Sequence, residues 1–195
     1  MPIVGQFGSL AGLGSLILPG GAMESIATVT VGSGGASSIE FTSIPGGFQH
    51  LQVRLIARTN RSTAAEDALG LRFNGDTGAT KYAIHVLSGN GSSASASASA
   101  SVNLTVGAIA TGNTATSSNF GCAVIDILDY ANTSKTTVVR AFTGYDDGPL
   151  TVGKAEVRSG LWNDTSAVTS ITLASTIASS YLQHSTAALY GLRAP

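Results

Sequence analysis

Few side chains able to do chemistry occur in this sequence, and they are scattered. His50, His85 and His184 lie far apart, and none falls in an HExxH or HxH spacing, so no local metal-ligating pair arises. Each is read as a strand residue facing solvent or as part of a hydrogen-bonded loop. The one cysteine, Cys122, excludes both an intrachain disulfide and a cysteine zinc site. It falls in the apolar run 122–128, where a thiol is expected to act as a small buried hydrophobe and not as a thiolate. Neither a GxSxG elbow nor a phosphate-cradling glycine loop is present.

The carboxylates do not pair convincingly for acid–base work. Asp126 and Asp129 are three apart, which on a strand places them on opposite faces. Asp146 and Asp147 sit in a Gly-Tyr-Asp-Asp-Gly-Pro stretch, where Asp is expected for turn formation alone. Asn74 and Asp76 offer oxygens to calcium, but about six to eight ligands are needed and the local supply is short. Five N-x-[ST] triplets, starting at Asn60, Asn90, Asn103, Asn132 and Asn163, follow from the abundance of Ser and Thr. A protein without catalytic residues, metal or cofactor is the expectation.

One constellation has the chemistry to hold a ligand. Trp162, the single tryptophan, is followed by Asn163, and an aromatic face beside an amide grips a sugar ring by stacking and directed hydrogen bonds. Tyr145 and Asp146 are expected on a neighbouring loop and complete a candidate glycan contact. The competing reading makes Trp162 a cap on the core or part of a subunit interface.

These residues must be positioned by strands. From Glu24 onward apolar residues alternate with polar ones between Gly, Asn, Asp and Pro, the period of half-buried antiparallel strands. Ala27, Val29 and Val31 share one face; Leu51, Val53 and Leu55 share another. Leu69, Leu71 and Phe73, then Asn74-Gly75, then Tyr82, Ile84 and Val86 read as a hairpin, because Asn-Gly suits turns that require positive φ. Residues 92–101 form a Ser/Ala tract that is most simply an exposed loop, or else a flat edge strand. Residues 122–128 read as a central strand, and further strands follow near 136–143, 150–159, 168–175 and 187–192. About ten short strands with no helical stripe predict an all-β antiparallel sandwich, with the jelly roll the expected version.

Only 11% of the 195 residues are charged, against about 25% in ordinary proteins, and the net charge is -1. That balance argues against nucleic acid or an anionic membrane surface as a partner. With 43% hydrophobic residues it argues against disorder too. No stretch reaches the ~20 apolar residues that span a bilayer, so membrane insertion is not expected. Residues 1–23 carry no charge, and with no basic residue ahead of the apolar run they do not read as a cleaved signal. They are expected to form an arm, separate from a single sandwich domain at 24–195. Leu10, Leu13, Leu16, Ile17 and Leu18 would then make an assembly contact, since leaving them in water creates a sticky patch.

Several stretches occur in an order that resembles a family of bacteriophage virion proteins. They are SIATVTVGSGGASSIEFTSIP (25–45), FQHLQVRLIARTNRS (48–62), LRFNGDTGATKYAIHVLSGNG (71–91), VIDILDYANTSKTTVVRAFTGYD (124–146), GLWNDTSAVTSITL (160–173) and STAALYGLR (185–193). The resemblance implies a structural role as a capsid decoration, head-fibre, tail-fibre or minor tail protein. Such a protein is made in the bacterial cytoplasm and displayed on the virion surface beside other capsid or tail proteins. The homotrimer comes from the resemblance alone. An alternative within it is a receptor- or glycan-binding module used in host adsorption. Residues 1–23 and the Ser/Ala tract stand outside the shared pattern, and no catalytic residues come with it.

Overall fold

The computed structural model describes residues 22–102, 105–147 and 152–193. Among them twelve strands form two antiparallel sheets and no helix occurs. β1 (Met23–Thr30), β12 (Thr186–Leu192), β3 (His50–Ala57), β8 (Gly121–Leu128), β9 (Thr137–Asp147), β10 (Val152–Trp162), β5 (Tyr82–Gly89) and β6 (Ala94–Val102) lie side by side in that order. The smaller sheet runs β2 (Ser38–Phe41), β11 (Ile171–Ser175), β4 (Glu66–Phe73) and β7 (Thr105–Thr111). The expected sandwich is therefore present. Strands β9, β10, β5 and β6 extend the large sheet beyond its β1-β12-β3-β8 run, and the remaining four strands make the small sheet.

Period-two alternation explains the core. Leu51, Val53, Leu55, Ile125, Ile127 and Val139 point inward from the large sheet, and Ile39, Phe41, Leu69, Leu71, Phe73, Ile171 and Leu173 meet them from the small one. Each contributes on the order of 1.5–3 kcal/mol by leaving water, which is what fixes the strand phase. Met23, placed in the arm by the sequence, already pairs with Leu192, so the sandwich begins one residue earlier.

Two expectations need correction. β4 and β5 are not a hairpin, for they lie in different sheets. Asn74 (φ 51) and Gly75 (φ 67) do make the tight turn, but it carries the chain across the sandwich. The partner is chosen by packing: β11 takes one edge of β4 and β7 the other. The Ser/Ala tract, read first as a loop, is the edge strand β6 along β5. Its flat alternation meets the requirement of a ladder, and it contributes no large side chain to bury.

Candidate functional site

The outer face of the large sheet is unusual in what it shows to water. Counting across the strands, Ala188, Arg54, Val124, Phe142, Val157, Leu87 and Ala96 stand in one row. Phe142 is 64% exposed, Leu87 58% and Val157 55%. Beside this ridge the next row, Ile56, Cys122, Gly144, Ala155, Gly89 and Ala94, is made mostly of small residues. Arg54, Val124 and Phe142 of the ridge and Ile56, Cys122, Gly144, Ala155 and Gly89 of the small row line a groove of about 1170 Å³, beside which Val157 and Leu87 continue the apolar surface. A contiguous exposed apolar surface of this kind marks an interaction site.

The groove is built rather than incidental. At Gly144 a Cβ would lie 2.6 Å from the Lys154 carbonyl oxygen, so glycine is required there and leaves the floor open. One rim, residues 118–120, belongs to a loop held from beneath by Arg58, whose guanidinium donates to the carbonyls of Ala115 (2.8 Å), Thr116 (2.9 Å) and Asn119 (3.0 Å). The Thr116 N–H also donates to the Asp147 carboxylate at 2.6 Å. The opposite rim is the turn at 90–92, where the Asn90 side chain accepts from the Ser92 and Ser93 N–H groups. Fixed rims give a pre-formed shape, so little ordering opposes binding.

The inner face of the same region holds the opposite chemistry. β10 turns Glu156 and Arg158 into the sandwich, 5% and 7% exposed, and Val157 out to solvent. Arg158 Nε donates to Glu156, Arg158 Nη1 to the Ala108 carbonyl, and Lys154 bridges Glu66 (2.7 Å) and Glu156 (3.6 Å). Burial would lower the Lys154 ammonium, but its bond to Glu66 and the two carboxylate charges outweigh it and hold the pKa above its ordinary value. Each carboxylate is thus partnered by a cation, an arrangement suited to structure rather than to accepting a proton. Sequence reasoning missed Glu66, Lys154, Glu156 and Arg158, which the fold gathers from β4 and β10. The charged–apolar alternation of residues 154–158 was the available signal.

The structure does not unite the candidate glycan contacts. Trp162 stands opposite Thr137 at one end of the β9–β10 pair and Tyr145 opposite Lys154 near the other. Eight residues of strand separate them, about 27 Å. Trp162 is 2% exposed, its ring 5.5 Å from that of Phe73 between centroids, so both faces are closed to a sugar. Its Nε1 donates to Asp76 at 2.9 Å, and that bond, ahead of the Gly78 N–H, holds the Asp76 carboxyl below the usual range. Tyr145 is buried, and burial pushes its phenol up. Asn163 and Asp146 are exposed at opposite ends.

The oxygens considered for calcium are engaged elsewhere. Asn74 Oδ1 accepts from the Thr169 and Ser170 N–H groups, and its Nδ2 donates to the Ala167 carbonyl. Lys81 donates to Asp164 at 2.8 Å and, with Ser166, holds that carboxyl well below the usual range. The Tyr82 hydroxyl accepts from the Phe73 N–H and donates to the Asp76 carbonyl, closing the same end of the sandwich; burial pushes its pKa up to about 12. Among the described residues no three His, Cys, Asp or Glu side chains converge on a metal-sized site. Cys122 is corrected too: it faces outward and is exposed, because Ala123, Ile125 and Ile127 set the inward phase of β8. Leu10, Leu13, Leu16, Ile17 and Leu18 lie outside the described residues.

Comparison with known proteins places this surface in no family. No family model and no curated protein matches the chain. Among solved structures it is similar to a Scytalido-glutamic peptidase crystallised with a peptide-based transition-state analogue, at 9% identity and a TM-score of 0.23. That match covers 80% of this chain and 64% of the peptidase chain, less than two thirds of its length, and at such a score it carries no argument about either fold or activity.

Proposed function

We propose that this chain is a non-enzymatic structural protein of a bacteriophage virion, displayed on the particle surface and attached through its uncharged N-terminal arm. The observation that carries this reading is the exposed apolar groove of the large sheet, in a chain with only 11% charged residues. A lone protein gains nothing from an exposed Phe142 ridge, whereas repeated copies on a particle cover such surface with their neighbours. The resemblance of residues 25–193 to virion proteins supports the same reading, and the homotrimer it implies belongs to the proposal. Removal of residues 1–21 from the chain encoded by the phage tests it. The truncated protein is expected to fold and to be lost from purified particles, as read by quantitative mass spectrometry. Normal incorporation of the truncated chain would sink the arm, and absence of the full chain from particles would sink the virion role.

A further inference from the structure

We propose that the outer groove receives the N-terminal segment of a second copy of this chain, with Leu16, Ile17 and Leu18 seated over Cys122 and Gly144. This deepens the docking role proposed above and rests on it for the purpose of the arm. Complementarity is the first argument. Residues 1–21 carry no charge, and the groove floor of Ile56, Cys122, Gly144, Ala155 and Gly89 carries none either. Of the charged lining, Lys154 is engaged by Glu66 and Glu156 while Arg54 and Asp146 flank that floor, so an apolar segment leaves water most fully along its uncharged middle.

Reach decides whose segment it is. The chain joins the sandwich at Ala22, whose carbonyl accepts from the Arg193 N–H, just before β1. β1 runs from there toward the groove end of the sheet, so each chain's own arm starts at the opposite end. Thr30, Thr186, Ile56 and Cys122 are in register across four strands. With the bulge in β1 between Ser25 and Ala27, Cys122 is thus three strand spacings across and seven positions along from Ala22, about 27 Å over the surface. Leu16 is only six residues from Ala22, so even a fully extended chain carries it no more than about 21 Å. Leu16, Ile17 and Leu18 therefore fall short of the Cys122–Gly144 floor of their own groove, while a neighbour's arm enters without that tether. An arm-to-groove contact is heterologous, and it closes either as a ring, which a trimer would satisfy, or as a reciprocal exchange between two copies.

Cys122, as the one cysteine of the chain, provides the test. In the full-length Ile17→Cys variant, mild oxidation is expected to link position 17 to Cys122 between chains. The product is a reducible species of dimer size or larger, with the 17–122 peptide pair identified by mass spectrometry. Adding Cys122→Ser should abolish it. Gly89 has open space around its Cβ position and no positive φ, so Gly89→Phe should plug the groove and abolish the link while leaving the melting temperature unchanged. A 17–122 link confined to single chains, only 17–17 or 122–122 links, or no link would each overturn the proposal. If none forms and removal of residues 1–21 still abolishes particle attachment, the arm keeps its role but its receiver is a different protein. If the link forms and the truncated chain still joins particles, the homotypic seat stands without the attachment role.

Discussion

β3 and β10 belong to the same sheet and obey the same period, but with opposite sense. β3 sends Leu51, Val53 and Leu55 inward and Gln52 and Arg54 outward. β10 sends Glu156 and Arg158 inward and Val157 outward. The phase of β10 is fixed by the residues it shares an inner face with, Gly160 and Trp162, because Trp162 fills the end of the core against Phe73. Neither half of that inversion helps the isolated chain fold. Two buried ions meet a desolvation cost that their pairing offsets only in part, and an exposed apolar row forgoes the gain of burial. The difference teaches that the outer row near β10 is arranged for contact with something else, while β3 serves the fold with its inner face and adds Ile56 to the groove with its outer one.

The largest effect should come from breaking the interior half of this contrast. Arg158→Ala leaves Glu156 without its closest cation in a closed site and is expected to cost about 3–5 kcal/mol in denaturant unfolding. A loss below about 1 kcal/mol would show that the cluster is not compensating charge. Replacing the buried pair alone, Glu156→Leu with Arg158→Met, is expected to be neutral or stabilising by about 1 kcal/mol, since both ions leave together and Lys154 keeps Glu66. A strong destabilisation by the double change would mean that the pair specifies the phase of β10.

pH sharpens the same point. The folded-state pKa of Lys154 is raised, so its contribution is present below the unfolded value of about 10.4 and is lost as pH climbs through the folded value. Thermal melts should therefore weaken in alkali, and Lys154→Met should flatten that limb. At the other end of β10, Asp164 is depressed by Lys81, so its contribution is present above about pH 4 and is lost as pH falls through the folded value. Asp164→Asn should remove part of the acid slope.

The smallest stability effect is expected on the outer half. Phe142→Ser with Val157→Thr should change monomer unfolding by less than about 0.5 kcal/mol, because neither side chain is buried in the single chain. Association measured by sedimentation should nevertheless fall sharply. If stability drops and association does not, the ridge belongs to the fold and the contrast with β3 disappears.

Much of the strand inventory was legible because hydrophobic burial writes its period directly into residues such as Leu51, Val53 and Leu55, or Ile125 and Ile127. Partners were less so. Asn74-Gly75 announces a tight turn, but nothing local says whether the next strand pairs with the last or crosses to the other sheet. The groove was hardest to foresee. Phe142, Val157, Leu87 and Ile56 come from four separate strands, and each by itself reads as an ordinary core candidate. Trp162 carried two readings, since an indole beside Asn163 has the same local sequence whether its ring stacks on a sugar or on Phe73, and packing selects the cap on the core.

The amino-acid order alone therefore determined an all-β chain with low charge, an uncharged leading segment and a Ser/Ala tract with no bulk to bury, since these follow from composition and from a two-residue period. Only the tertiary structure decided which side of each strand meets water. That choice is made by the sum of contacts across two sheets. It turned Cys122, Phe142 and Val157 outward, drew Glu156 and Arg158 inward, and aligned Ala94, Ala96, Ala98 and Ala100 with the groove face through the register of β5 and β6.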